Sequence, residues 1–512
     1  MTEAVAYLDR TGTFNFRAPP QAGFACGEYV LLIQGRNKLL AVIDDVSYEH
    51  LHDRAPRPGS ANPHTVADLH APSMVDAGFC TGQGHVVRPV EDEFARLTYE
   101  PQYYSGEFRM SLADAKVVGS YFDSCYEAKS PSFPVGCLRN ILPPVIVRLL
   151  ARGFNRPTGL FGQSGSGKSY ALGKVIEELH LNSQVDIVIL DPNGDYVHIG
   201  DAKRDVDEVN KGSPSRLIAE PEFLRYQRLI ADKQGSFKVL TGSKLQIGSP
   251  ISIGLLDLEP AELAALLQID PIAEEPLYKS MRELLLRFVG KAPPHSMPAF
   301  MEYIDGAYLA TRISNLGVDE QNIWQASEPA LVDVLRDEKR KTVVVDLSGL
   351  TQLERLVVSS VVMKTLWALQ EERKAASKPR ATLLVIDEAH NVFPSALSSQ
   401  AHGLTLELGT RMAGEGRKYG LYMLTSSQLP SKIHEHVLTQ CGNLILMKML
   451  SQTDLTALAN SFSFVSESLL QLSKSFDTGE ALIVGRIVPT PCLVHFEGRV
   501  SQEGGGDLPV EW

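Results

Sequence analysis

The sequence has little that ties it to a membrane, a metal or an oxidising compartment. Its six cysteines (Cys26, Cys80, Cys125, Cys137, Cys441, Cys492) are scattered and form no CxxC pair. They read as core-filling thiols in a reducing environment, without zinc-ligand spacing. No apolar run approaches the ~18–20 residues that cross a bilayer. The opening MTEAVAYLDRTG has neither the basic nor the apolar stretch of a secretory signal. A soluble, cytoplasmic protein is the expectation. Excess positive charge is missing too: 49 Lys and Arg against 61 Asp and Glu leave a formal charge of −12. That argues against a surface coated in nucleic acid, though not against a locally basic lining such as a pore. The remainder, 44% hydrophobic and 21% charged over 512 residues, is an ordinary globular composition with room for roughly two to four domains.

One stretch stands out against this background. TGLFGQSGSGKSY, residues 158–170, reads as a short apolar strand, a glycine-rich turn and a helix opening. Gly162, Gly167, Lys168 and Ser169 occupy every fixed position of the phosphate-binding pattern GxxxxGKS/T. Glycines allow backbone angles that side chains forbid, so the peptide N–H groups of Gly162, Ser164, Gly165, Ser166 and Gly167 can close around phosphate oxygens. The helix that begins with Lys168, Ser169 and Tyr170 presents its positive end to the same anion. Lys168 would reach the β- and γ-phosphates, and Ser169 would offer its hydroxyl to Mg2+.

Around this loop the chain organises into regions. Residues 1–100 read as all-β, with strands at 29–34 and 39–44 joined by a Gly35-Arg-Asn-Lys turn and further β pieces near 86–90; a small barrel is the natural closure. Five histidines fall here (His50, His52, His64, His70, His85), in a spacing that follows no ligand pattern and suits a polar loop better than a metal site. Residues 101–200 hold a connector, a short helix at 145–152, and the first part of an α/β core. Residues 201–340 show amphipathic helices, notably 260–267 and 277–289, and no clear core strand. Residues 341–497 resume the alternation, with apolar strands at 343–345, 383–386, 421–425, 444–447 and 481–484. Together with 159–161 and 187–190 these make seven strands of a doubly wound, mainly parallel sheet. Residues 498–512 form a tail or a clasp on a neighbour.

Three further groups carry chemistry. LLVIDE delivers Asp387 and Glu388 at a strand end, one for the Mg2+ shell and one to orient and deprotonate an attacking water. DPNGDY places Asp195 beside the phosphate site, where it would assist water or metal, or serve a turn. Gln428, after the strand at 421–425, would sense the γ-phosphate. Arg417 is the candidate arginine finger for a neighbouring site, with Arg411 and Lys418 competing for that role; Lys432 and His434 are candidate pore residues.

Taken together, GQSGSGKS, DPNGDY, LLVIDEAHNVFP, GEGRKYGLYMLTSSQLP and GEALIVG resemble the HerA branch of the HerA/FtsK family of ring-forming DNA-translocating ATPases. GEYVLLIQGRNKLLAVIDDV is similar to the small barrel that precedes the ATPase in that family. Asp195 stands where the family usually has glutamate, and SSQLP where many relatives read TQRP. The resemblance implies a RecA-like P-loop core with an N-terminal barrel and a helical insertion, using ATP and Mg2+. It also implies a homohexamer with double-stranded DNA in its channel, and a partner nuclease or NAD-consuming effector held through the barrel, in DNA end processing or antiphage defence. A second function is weighed beside this motor: an ATPase platform that scaffolds and gates an effector with little translocation.

Overall fold

A computed structural model describes residues 4–50, 78–90, 105–126, 131–211, 218–242, 247–290, 294, 296–304, 307–321, 323–324, 329–339 and 341–504. The loop histidines His52, His64 and His70 lie outside these residues, as does the chain beyond residue 504.

The first six strands, β1 (Ala4–Leu8), β2 (Thr13–Ala18), β3 (Tyr29–Gln34), β4 (Asn37–His50), β5 (Gly78–Pro89) and β6 (Gly106–Leu112), close into an antiparallel barrel in the order β1-β2-β5-β4-β3-β6. Alternation drives it. In β1 and β2 every second residue is buried, so Ala6, Phe14 and Phe16 fill the interior with Val30, Leu32, Ile43 and Phe108. His85, on β5, points at Asp44, its Nδ1 2.8 Å from a carboxylate oxygen.

The remaining twelve strands form one sheet. They are β7 (Ser132–Leu138), β8 (Ile146–Leu150), β9 (Thr158–Phe161), β10 (Asp186–Asp191), β11 (Phe237–Thr241), β12 (Ser249–Pro250), β13 (Thr342–Asp346), β14 (Thr382–Ile386), β15 (Leu421–Ser427), β16 (Asn443–Met447), β17 (Glu480–Gly485) and β18 (Cys492–Phe496). Their order is β12-β11-β13-β10-β14-β15-β9-β16-β17-β18-β7-β8. Pairing is parallel from β12 to β16 and antiparallel from β16 to β8. Every residue of β9, β10, β13, β14 and β16 is buried. Both faces of the sheet are covered, which is why those strands read as unbroken apolar runs. The expected small barrel followed by a mainly parallel P-loop core is what the chain forms.

Two local expectations are corrected. Residues 145–152, read as a short helix, instead hold the strand β8, which pairs with β7 and buries Val147 and Leu149 on alternate positions, and the start of the 3-10 turn Ala151–Asn155. A run of five residues such as IVRLL fits either period, and the partner strand decides. The region 201–340 does contribute to the sheet, because β11 lies parallel beside β13. The rest of it is mostly short helices, including Glu220–Lys233, Pro260–Leu266, Glu275–Leu286 and Ala307–Asn315.

The helix Lys168–Asn182 is buried along almost its whole length, charged residues included. Lys174 is fully enclosed, with Glu178 at 2.7 Å and Glu177 and Glu497 at 3.4 Å. Three carboxylates share one ammonium, and burial pushes Glu178 up to about 7 against the pull of Lys174. Residues 498–504, read as the start of a tail, run along this helix: Arg499 N–H donates to the Tyr170 hydroxyl at 2.9 Å, and Gly504 N–H to the Asp195 carbonyl at 3.1 Å. Lys174→Met leaves those acids without a counter-charge and should destabilise the fold by about 3–5 kcal/mol. Glu178→Gln, which keeps a hydrogen-bonding side chain there, should change thermal unfolding far less.

Candidate functional site

The site is built where β9 ends. The chain leaves Phe161, turns through Gly162 and enters the helix Lys168–Asn182, with Gly165 at φ +75° and Gly167 at φ +89°. Ser164 and Gly165 form the exposed apex, while the Ser166 hydroxyl is buried without a hydrogen-bond partner. Neighbours brace the loop from below: Gln163 N–H donates to the Lys448 carbonyl at 2.9 Å, and Gly479 N–H to that of Ser166 at 3.0 Å. A Cβ on Gly162 would stand 2.6 Å from the Ser166 oxygen and 2.9 Å from Met447 Cβ, so only glycine fits. Tyr170 turns away from the loop, its hydroxyl on Arg499 and its ring 5.1 Å below the Lys203 ammonium.

The acidic pair arrives on β14, which is separated from β9 by β15 alone. Lys168 Nζ lies 2.6 Å from Asp387 Oδ1, 3.0 Å from Glu388 Oε1 and 3.2 Å from Ser426 Oγ, with its side chain 5% exposed. Burial alone would discharge the lysine, but Asp387 and Glu388 outweigh it and raise its pKa. Asp387 also accepts from the Tyr196 hydroxyl at 3.2 Å. Glu388 sits in the left-handed region, φ 44° and ψ 49°. Its carboxylate accepts from Gln428 Nε2 at 3.0 Å and lies 3.3 Å from His390 Nδ1. Burial pushes that carboxyl up, yet His390, Lys168 and Gln428 together hold it down at about 2.

Asp191 serves the turn. Its carboxylate accepts from the N–H groups of Asn193, Gly194, Asp195 and Tyr196 between 2.8 and 3.3 Å. This brings Asp195 near Ser169; burial raises the Asp195 pKa, and the Ser169 hydroxyl offsets part of that rise. Ser169, Asp387 and Asp195 thus converge as an all-oxygen set on the helix N-terminus, the donor chemistry that Mg2+ takes together with water and phosphate oxygens. The orphaned Ser166 hydroxyl and the enclosed Lys168 ammonium are the groups a bound phosphate would satisfy.

The cationic candidates lie elsewhere. Arg417 is exposed, in the turn Gly416–Tyr419 at the start of β15. Seven residues of strand separate it from Gln428, about 23 Å at ~3.3 Å per residue. Beside it are Arg156 and Arg486; desolvation, then the charges of Arg417 and Arg486, pull the Arg156 pKa down. Arg411 is engaged, its guanidinium 4.0 Å over the Trp367 ring and 3.4 Å from Glu371. Lys418 and Lys432 are exposed, and His434 Nδ1 accepts from His436 N–H to cap the short helix Glu435–Leu438. Sequence reasoning did not single out Tyr196, His390, Ser426 or Arg156. The first two lie inside the quoted DPNGDY and DEAHN runs, but nothing local says which way their side chains point.

Strand, glycine loop and helix, with an acidic pair two strands away on a parallel sheet, define a RecA-like P-loop nucleotide-binding core. Residues 142–366 match the family model described as "Helicase HerA, central domain". The chain is 35% identical over 184 residues to the DNA double-strand break repair helicase HerA of Saccharolobus solfataricus, covering 34% of this chain and 36% of that protein. It is 22% identical over 426 residues to the HerA of Pyrococcus furiosus, covering 70% and 69%. Its match thus spans about a third of the first relative's length. Among solved structures it is similar to VirB4 of Thermoanaerobacter pseudethanolicus, with a TM-score of 0.48 and 14% identity over 73% of this chain and 98% of that one. Residues 142–366 are thus similar to the central domain of HerA helicases.

Gly162→Ala forces the loop to shift against Ser166 and Met447, a strain of about 1–3 kcal/mol. Titration with a fluorescent nucleotide should show affinity reduced by about tenfold or more.

Proposed function

We propose that the protein hydrolyses ATP and uses the energy to drive double-stranded DNA through a ring of its own copies. The observation that carries this reading is the enclosed Lys168 ammonium within 3.0 Å of both Asp387 and Glu388. Lys168 and the N–H groups of residues 162–169 hold the phosphates. Ser169 and Asp387, with Asp195 close by, would hold Mg2+, which supplies charge neutralisation on the phosphate oxygens. Glu388, ionised across the physiological range because its carboxyl is held at about 2, orients the attacking water and takes its proton in the transition state. Gln428, hydrogen-bonded to Glu388, reports whether the γ-phosphate is present.

Arg417 sits too far from its own loop to act there and is delivered to a neighbour's phosphates, with Arg156 and Arg486 beside it. On this reading the site lies between subunits of a homohexamer, and ring assembly is a condition of turnover. The relatives' printed names, DNA double-strand break repair helicases, support DNA as the cargo. A partner nuclease or NAD-consuming effector docks on the N-terminal barrel, in DNA end processing or antiphage defence.

Lys168→Ala should abolish nucleotide binding in a filter or fluorescence assay. Glu388→Gln should bind ATP and lose roughly 100- to 10,000-fold in turnover; wild-type turnover in that variant would remove Glu388 from its role. The deciding measurement is the ATPase rate with and without double-stranded DNA. Stimulation supports the motor, and a rate indifferent to DNA, with and without the partner, overturns it in favour of a scaffolding platform.

A further inference from the structure

Glu388 is held in a conformation that its own backbone disfavours. Left-handed φ and ψ in a residue with a Cβ cost about 1–2 kcal/mol, and such strain persists only where surrounding contacts over-determine it. Three groups hold the carboxylate here: Lys168 at 3.0 Å, Gln428 at 3.0 Å and His390 at 3.3 Å. Under the function proposed above, two of them have other work when nucleotide is present. Lys168 turns to the phosphates, and Gln428 answers to the γ-phosphate. His390 alone has no such competing partner.

The anchoring of His390 fits a permanent role. Its Nδ1 lies 2.9 Å from Ser427 Oγ as well as 3.3 Å from Glu388 Oε2, within reach of both oxygens. The Ser427 hydroxyl is fixed in turn, because it accepts from Leu429 N–H at 3.0 Å and is fully buried. The ring is therefore clamped to the end of β15, the strand that lies between the acidic strand and the phosphate-loop strand. The Ala389–Asn391 turn that carries His390 is itself closed by Asn391 N–H donating to the Glu388 carbonyl at 2.9 Å.

We infer that His390 is a positioning residue: with Ser427 it forms a bridge from β15 that keeps Glu388 aimed at the attacking water after Lys168 has moved to the nucleotide. What matters is a donor at the Nδ1 position, not an imidazole as such. Asparagine places its Nδ2 amide there, whereas glutamine carries its amide one bond further out.

This inference rests on Glu388 being the general base, so Glu388→Gln is measured alongside. His390→Ala and His390→Gln should lower kcat roughly 10- to 100-fold, the loss typical of mis-set catalytic groups. KM for ATP, the affinity for a non-hydrolysable analogue and the unfolding temperature should stay near those of the parent. His390→Asn should recover most of kcat. If Glu388→Gln keeps full turnover, the functional reading itself fails. If Glu388→Gln is slow while His390→Ala turns over normally, only the bridge is refuted. Equal losses in the Ala and Asn variants, or losses that track unfolding temperature or analogue affinity, would also overturn it.

Discussion

An ammonium enclosed between two carboxylates is the interaction on which the rest of the molecule depends. Lys168 and Asp387 are 219 residues apart and meet at 2.6 Å with almost no solvent. A charge so buried costs several kcal/mol unless its partners are placed closely. The cluster is stable only because β9, β15 and β14 lie side by side in fixed register, with Leu424 opposite Thr158 and Ile386 opposite Thr425. The same low dielectric that makes the cluster costly makes it responsive. On the proposed function, phosphates entering the loop would exchange one set of anions for another around a single ammonium and free Asp387 and Glu388 for metal and water.

Much of the surrounding architecture supports that exchange. The helix Lys168–Asn182 is locked by its buried charges and by residues 497–504. The same strap ties back to the Asp195 carbonyl through Gly504. The barrel is joined to this core by polar contacts at its rim: the Ser466 hydroxyl donates to the Asp44 carbonyl at 2.9 Å, and the Ser468 hydroxyl bonds Asp45.

How much of this is legible in the sequence follows from where the physics is local. Buried parallel strands such as β10 and β14 announce themselves as apolar runs, and the phosphate loop as a glycine pattern, because each is fixed by its own residues. β8 and β11 are not legible, since a five-residue segment becomes a strand only through the partner it finds. β1, β2 and β6 alternate, but each is too short to stand out from the loops around it. Asp387 and Glu388 are readable at a strand end; Tyr196 and His390 are not, since their roles lie in side-chain directions set by the sheet. Arg411 and Arg417, six residues apart, look equivalent as letters. The Trp367 ring and Glu371 occupy the first, and the fold leaves the second exposed.

On the proposed reading, that difference bears on why one chain would not be enough. Within a subunit the Lys168 ammonium at the phosphate loop is already shared between Asp387 and Glu388. Phosphoryl transfer spreads further negative charge over the γ-phosphate oxygens, so a second cation is needed where the loop opens to solvent. The chain has candidate cations at the far end of β15, where desolvation and then the charges of Arg417 and Arg486 lower the Arg156 pKa. Like charges gathered on a surface are destabilising until an anion arrives. In the ring proposed above, a site short of positive charge at one end of a strand and an excess of it at the other would be satisfied together, one copy's arginines meeting the next copy's phosphates. β15 begins just after the turn that holds Arg417 and ends at Ser427, next to Gln428, so one strand spans the distance between that arginine and the groups that contact Glu388.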